Sequence, residues 1–213
     1  NVPDPTQDIV KPQTSTNYQL GTVFYADEFT LDGDIYLIDF ANKFSTKTVG
    51  GNKIYFNEGG VTYKGVEAQG TYAFASGFSI FANGSFNDAK ANDTHLQVGG
   101  APTWTAALGI FYATENWHVA LIDKFVGQQW ADDSHALNGM TIYGTDGSKM
   151  SAYSVANLTA GYDFGRFEIK GGIHNLFDNR NVTDISFNGA NDPTNQYFFV
   201  PERSYELTLK AKI

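Results

Sequence analysis

Cysteine is absent from the 213 residues. That removes disulfide scaffolds, thiolate zinc sites and thiol nucleophiles together. Charge is scarce too, at 17% of residues, below the quarter typical of soluble domains. Basic residues are the scarcer sign: 14 Lys and Arg stand against 23 Asp and Glu, a formal net charge of −9. Nucleic-acid binding rests on a basic face, so that partner class is excluded. No run approaches the roughly 18 consecutive apolar residues of a membrane-spanning helix. No Lys- or Arg-led apolar segment stands at the start of these residues. Aromatic residues and glycine, by contrast, are plentiful: 17 Phe, 12 Tyr, 3 Trp and 22 Gly. Disordered chains are poor in aromatics, so the chain folds.

The pattern has period two. Leu31, Gly33, Ile35 and Leu37 alternate with Asp32, Asp34 and Tyr36. Phe78, Ile80, Ala82, Gly84 and Phe86 alternate with Ser79, Phe81, Asn83 and Ser85. Tyr205, Leu207, Leu209, Ala211 and Ile213 alternate with Glu206, Thr208, Lys210 and Lys212. This is strand periodicity, not helix periodicity. The apolar sets mix Gly, Ala, Leu and aromatics, where a packed soluble core favours bulky Val, Ile and Leu.

The pattern predicts nine strands, near 17–26, 29–40, 61–74, 78–88, 103–113, 117–128, 152–164, 166–177 and 197–213. They exceed the five or six residues, roughly, of an ordinary soluble strand. A tilted outer-membrane strand needs about 9–11 within the hydrocarbon. Connections alternate in length. Tight ones fall at Asp27-Glu28, Ala75-Ser76-Gly77, Thr114-Glu115-Asn116 and Gly165-Arg166; long ones fall at 41–60, 89–102, 129–151 and 178–196. Short turns on one side and long loops on the other characterise outer-membrane barrels. The fold class expected is therefore all-β, an antiparallel transmembrane β-barrel segment. Residues 1–16 read as an extracellular loop leading into the barrel, and 17–213 as its strands. Ile54 to Phe56 could add one short strand. An odd count does not close a bacterial barrel, whose strands are even in number, so a larger barrel is expected.

The polar sets should face water or a plug. They include Thr30, Asp32, Asp34, Glu67, Gln69, Thr71, Ser79, Asn83, Ser85, Thr105, Glu168, Lys170, Glu206, Thr208 and Lys210. Asp123 conflicts with its strand, because it shares a face with Leu121 and Phe125; a bulge or a loop-proximal position would rescue it. Trp104, Trp117, Trp130, Tyr25, Phe29, Phe74, Phe78, Tyr112, Phe164 and Phe167 fall at strand ends. That placement suits interfacial girdles.

Chemical motifs are sparse. His95, His118, His135 and His174 show no metal-site spacing. Asp132, Asp133, Ser134 and His135 lie too close in sequence for a hydrolytic triad and lack a nucleophile elbow. No enzyme activity, cofactor or metal is expected. Asp88, Asp93, Asp132, Asp133, Asp146, Asp184 and Asp192 fall in loops. They read as solvated carboxylates, or as ligands for divalent cations bridging to lipopolysaccharide phosphates. Trp130, Tyr143 and Tyr197 offer ring faces for stacking, or for local packing. The candidate ligand-loop residues are Trp130, Asp132, Asp133, His135, Tyr143, Asn188 and Tyr197.

Five segments, in order, resemble the C-terminal barrel strands of TonB-dependent outer-membrane receptors. They are Lys11-Pro12-Gln13-Thr14-Ser15-Thr16-Asn17-Tyr18-Gln19-Leu20-Gly21, Gly65-Val66-Glu67, Tyr153-Ser154-Val155-Ala156-Asn157-Leu158, Ile173-His174-Asn175-Leu176-Phe177-Asp178-Asn179-Arg180, and Pro201-Glu202-Arg203-Ser204-Tyr205. Gln13, Glu202 and Ile213 stand where the family more often has Glu, Gly and Phe. The resemblance implies the last nine strands of a barrel of about 22 strands with a plugged lumen. It implies energised import of a scarce nutrient such as a ferric siderophore, cobalamin or an oligosaccharide across the outer membrane of a Gram-negative bacterium. The implied partners are the remainder of the receptor (plug and earlier strands), TonB acting through an N-terminal region outside these residues, lipid and lipopolysaccharide, and a small nutrient ligand. It also implies that Tyr205, Leu207, Leu209, Ala211 and Ile213 form the C-terminal signal read during barrel assembly. Two alternatives stay open on the residues alone: a self-contained small barrel acting as a passive pore or adhesin, and a soluble all-β carbohydrate-binding module.

Overall fold

The computed structural model describes residues 10–133, 149–186 and 193–211. All regular elements among them are strands. They are β1 (Thr14–Tyr25), β2 (Phe29–Ala41), β3 (Phe44–Val49), β4 (Asn52–Asn57), β5 (Val61–Ala73), β6 (Phe78–Ala91), β7 (Trp104–Ala113), β8 (Trp117–Val126), β9 (Gln129–Trp130), β10 (Lys149–Met150), β11 (Tyr153–Asp163), β12 (Phe167–His174), β13 (Val182–Ser186), β14 (Gln196–Phe199) and β15 (Ser204–Ala211).

Nine of them form one antiparallel sheet in the order β1-β2-β5-β6-β7-β8-β11-β12-β15. Three separate hairpins, β3–β4, β9–β10 and β13–β14, sit within the long connections. The sheet is open, with β1 and β15 at its edges. That geometry is part of a barrel wall and not a closed small barrel.

The nine expected strands are the nine of the sheet. Their bounds move by one or two residues at several places and most at four, one of them the end of β12 at His174 where 177 was expected. β1 starts at Thr14, because Thr14, Ser15 and Thr16 pair with Ala41, Phe40 and Asp39. β6 runs on to Ala91 against Val61. The last strand, expected from 197, starts at Ser204. Residues Gln196–Phe199 instead pair with β13. Pro201 has no N–H to donate to a ladder, so the strand pattern is interrupted there.

Each tight turn at one end is closed by a backbone hydrogen bond between flanking residues, three positions apart at Thr114 and Phe164 and four at Phe74. Phe74 N–H donates to Phe78 O at 2.7 Å, Thr114 N–H to Trp117 O at 2.8 Å, and Phe164 N–H to Phe167 O at 2.7 Å. Gly77 and Gly165 both take φ of +85°, which glycine alone adopts freely. The long connections all leave from the opposite end, as the alternation in length requires.

Register assigns the faces. Leu31, Gly70, Ala82 and Leu108 share one row across β2, β5, β6 and β7; Ile35, Val66, Phe86 and Trp104 share another. The opposite face carries Asp32 beside Gln69, Asp34 beside Glu67, Ser85 beside Thr105, and Glu168 beside Lys210. The expected inward set therefore lies on one polar face. Ring pairs gather on the tight-turn side: Phe24–Phe29, Tyr72–Phe74, Phe78–Tyr112, Trp117–Tyr162 and Tyr162–Phe164, with centroids 4.5–6.3 Å apart. Asp123 receives no bulge, since β8 pairs without interruption on both sides. It stays on the apolar face between Leu108 and Ala156, towards the long-connection end of β8.

Candidate functional site

Two regions could meet a ligand: the polar face and the cluster of long connections. On the polar face, Asp32, Asp34, Glu67, Gln69, Asn83, Ser85 and Thr105 line a cavity of about 320 Å³. Gln69 Nε2 donates to Asp32 Oδ2 at 2.8 Å. The hydroxyls of Ser85 and Thr105 lie 2.8 Å apart. Asp34 Oδ1 is buried with no hydrogen-bond partner among the described residues. Further along this face His118 Nε2 lies 3.0 Å from Glu168 Oε1, and Lys210 Nζ 4.0 Å from Glu168 Oε2. Among the described residues, carboxylates thus stand without basic partners on the polar face of β2 and β5, and with them on β12.

The connections are built into a platform. Val61, Ala89, Val98 and Ala101 form a buried cluster, with Phe40 and Tyr63 against it. Gln97, itself buried, accepts from Ala89 N–H at 3.2 Å and donates to Ala101 O at 3.3 Å. Asp133 joins three connections. It accepts the Gly99 N–H at 2.7 Å and pairs with Lys43 Nζ. Gly100 N–H donates to Trp130 O at 2.7 Å. Lys43, Glu58, Asp93, Thr94 and Asp133 line a cavity of about 170 Å³ there. A second cluster, Met150, Val182 and Ile185, packs with Ala131 and Tyr197.

The expected ligand-loop residues divide accordingly. Trp130 lies in β9, its ring 5.6 Å from Lys149 Nζ. Asp132 and Asp133 follow directly, and Tyr197 lies in β14 beside the Met150 cluster. His135, Tyr143, Asn188 and Ile213 lie outside the described residues. Tyr205, Leu207, Leu209 and Ala211 share the apolar face of β15. Sequence reading passed over Lys43, Gly99 and Gln97, which hold the platform. Only Gly99-Gly100 signalled a close backbone approach: a Cβ at Gly99 would lie 3.0 Å from Asp132 N and Cα.

The exit of β12 is charged. Arg203 N–H donates to Asp178 Oδ1 at 3.1 Å, and Arg180 pairs with Asp178 at 3.2 Å and with Glu202 at 2.7 Å. The Arg203 N–H first, and then Arg180, hold the Asp178 carboxyl below its ordinary range. Asp178 in turn raises Arg180.

Comparison with known proteins decides what this wall belongs to. Residues 2–176 match the family model for the TonB dependent receptor-like β-barrel. The chain belongs to the TonB-dependent receptor β-barrel family. A ferrioxamine receptor of Yersinia enterocolitica is 24% identical over 215 residues, covering 97% of this chain and 29% of that protein. The ferric yersiniabactin uptake receptor of Yersinia pestis superposes with a TM-score of 0.74 at 20% identity, covering 92% of this chain and 29% of that one. A copper transporter, OprC, superposes with a TM-score of 0.74 at 16% identity, covering 96% of this chain and 32% of that one. The chain therefore spans under a third of the length of these proteins. This is a family of transport receptors, not enzymes.

Proposed function

We propose that this chain forms part of the wall of an outer-membrane receptor that imports a scarce nutrient with TonB-derived energy. A ferric siderophore is the favoured cargo, ahead of cobalamin or an oligosaccharide. The observation that carries the reading is the two-faced sheet. One face is a largely apolar surface suited to lipid, with Asp123 the exception towards the long-connection end, and the other is a hydrogen-bonded polar wall suited to a water-filled or plugged lumen. The long connections then lie on the extracellular side, and their candidates to meet cargo are Trp130, Asp132, Asp133 and Tyr197, together with His135, Tyr143 and Asn188, which lie outside the described residues. The plug and earlier strands face the polar wall, TonB acts from the periplasm, and lipid and lipopolysaccharide surround the apolar face. The C-terminal strand, with Tyr205, Leu207, Leu209, Ala211 and Ile213, serves as the assembly signal.

The ferrioxamine receptor among the relatives supplies the first cargo to try. The full-length receptor, expressed in cells lacking their own iron receptors, should support uptake of radioactive iron from ferrioxamine or another ferric siderophore. That uptake should vanish in cells without TonB. Uptake that persists equally without TonB would make the protein a passive pore and end the reading.

A further inference from the structure

β12 and β15 are not joined by a short hairpin turn; residues 175–203 lie between them. At the other end of the sheet a short turn fixes each hairpin register. Residues 175–203 instead carry their own hairpin, β13–β14, which does not pair with the main sheet. Patterning forbids a slip of β15 by one residue, because Glu206, Thr208 and Lys210 would move to the apolar face. It is silent on a slip by two, which returns every residue to its own face. β15 also has a paired strand on one side only among the described residues. Something other than a hairpin turn or pattern must choose the register that sets Gly171 opposite Leu207.

A polar knot is built on the turn at the exit of β12, where Asp178 N–H donates to Asn175 O at 2.9 Å. Asn175 is 3% exposed. Its Nδ2 donates to Asn179 O at 2.9 Å and to Pro201 O at 2.8 Å, and its Oδ1 accepts Asn179 N–H at 2.9 Å. Its own N–H donates to Asn157 Oδ1 at 3.1 Å, and Asn179 Nδ2 donates to Ser154 O at 2.9 Å, tying the knot to β11. Asp178 Oδ1 accepts the Arg203 N–H at 3.1 Å. Asn175 and Asp178 both have φ of +51°, a conformation that Asn and Asp tolerate better than most residues.

We propose that this knot, centred on Asn175 and Asp178, sets the register of the last strand in place of a short hairpin turn. Both of its β15-side partners, Pro201 and Arg203, lie just before Ser204. A slip by two residues carries them about 7 Å along the strand direction. Both bonds then break. Glu206 leaves His174 and Lys210 leaves Glu168, contacts of 3.4 and 4.0 Å in the present register. The interior of the knot is buried, so its unmade bonds are not replaced by water without rearrangement.

Introduced cysteine pairs read the register directly. The test uses the full-length receptor in outer-membrane vesicles. Gly171→Cys with Leu207→Cys reports the present register. Gly171→Cys with Leu209→Cys, or with Tyr205→Cys, reports a slip by two in either direction. A Cβ at Gly171 meets nothing nearer than 3.9 Å, so the first cysteine is accommodated. In the otherwise unaltered protein the Gly171–Leu207 pair should cross-link almost alone. Adding Asn175→Ala and Asp178→Ala should give a severalfold rise of one slipped pair at the expense of the first. An unchanged cross-link pattern in that variant overturns the proposal. If the variant does not reach the membrane, the same pairs are read after refolding in detergent with Asp178→Ala alone, which removes the bond to the Arg203 N–H. A slipped pair there supports the proposal, and the present register alone overturns it.

Discussion

Glycines within the strands meet different surroundings on the two faces of the sheet. On the apolar face a Cβ at Gly84 would meet nothing nearer than 3.7 Å, and one at Gly171 nothing nearer than 3.9 Å. On the polar face Gly65, Gly109 and Gly161 are roofed by rings. Tyr36 crosses over Gly65 to reach Asn87 Oδ1 at 3.2 Å, His118 crosses over Gly161 to reach Glu168, and Phe111 covers Gly109. Gly33 and Gly70 on the apolar face are approached most closely by carbonyl oxygens, at 3.1 and 3.3 Å. On the polar face Tyr36 and His118 use the space over a glycine to carry one strand's side chain to the next strand but one.

The largest test of this contrast is a charge placed on each face of the same strand. Leu209→Asp sets a carboxylate on the apolar face and should cost on the order of 1–3 kcal/mol, depending on depth. Lys210→Asp changes only the sign of charge on a polar wall, where Glu168 lies 4.0 Å away. Surface levels and heat-modifiable mobility should fall far more for Leu209→Asp. Equal loss for the two would undo the face assignment.

A methyl group added to each face gives the next effect. Gly65→Ala should lose about 1–3 kcal/mol as an overpacking substitution, because the methyl meets both the Phe86 carbonyl and the Tyr36 ring. Gly84→Ala should be near neutral. Urea midpoints of the refolded receptor would check the pair, and a Gly84→Ala loss as large as that of Gly65→Ala would erase the contrast between faces.

Gly161→Ala should cost less than Gly65→Ala, since only the movable His118 ring opposes it. Its signature is specific: the ring swings away and the His118–Glu168 contact is lost. The imidazole shifts of His118 should then resemble those of Glu168→Gln. If they do not, the ring is not bridging across the glycine.

The smallest effect belongs to the polar edge. The Asp178 carboxyl is held below its ordinary range. A depressed folded-state value means that its stabilising bonds are present at neutral pH and through mild acid, and are lost as pH falls through that lowered value. Hydrogen exchange at the Arg203 amide should stay slow until pH drops below the usual aspartate range. Asp178→Asn should remove that acid step, and an acid step kept in the Asn variant would show that another group controls the amide.

The strands and faces were legible because period two survives in every sheet strand, and because turn lengths alternate. Ring-over-glycine contacts were not, since His118 and Glu168 are 50 residues apart and nothing local links them. The strand end at Ser204 was hidden because Tyr197 to Val200 keep an apolar character suited to the β13–β14 hairpin as well. Asp123 was read as a conflict that a bulge or a loop-proximal position would relieve; no bulge forms, and it lies towards the long-connection end of β8. Of the loop residues, Trp130, Asp132, Asp133 and Tyr197 could be placed. Asp133 turned out to bind Gly99 and Lys43, a role set by three connections that sequence spacing does not relate. The Asn175 motif was visible as a pattern, but its bonds to Asn157 and Pro201 are properties of the folded sheet.

The three small hairpins in the connections share no ladder with the wall. At the tip of one, Gly50 and Gly51 have φ of +58° and +81°, and a Cβ at either would meet nothing within 4 Å. The molecule is in that sense modular. The wall is a chassis whose register is fixed by its own pairings, and the β3–β4 tip is a socket on which sequence can be exchanged. A peptide tag grafted between Gly50 and Gly51 would extend from that tip while every pairing of the nine strands stayed as it is, so folding constrains this part of the chain least.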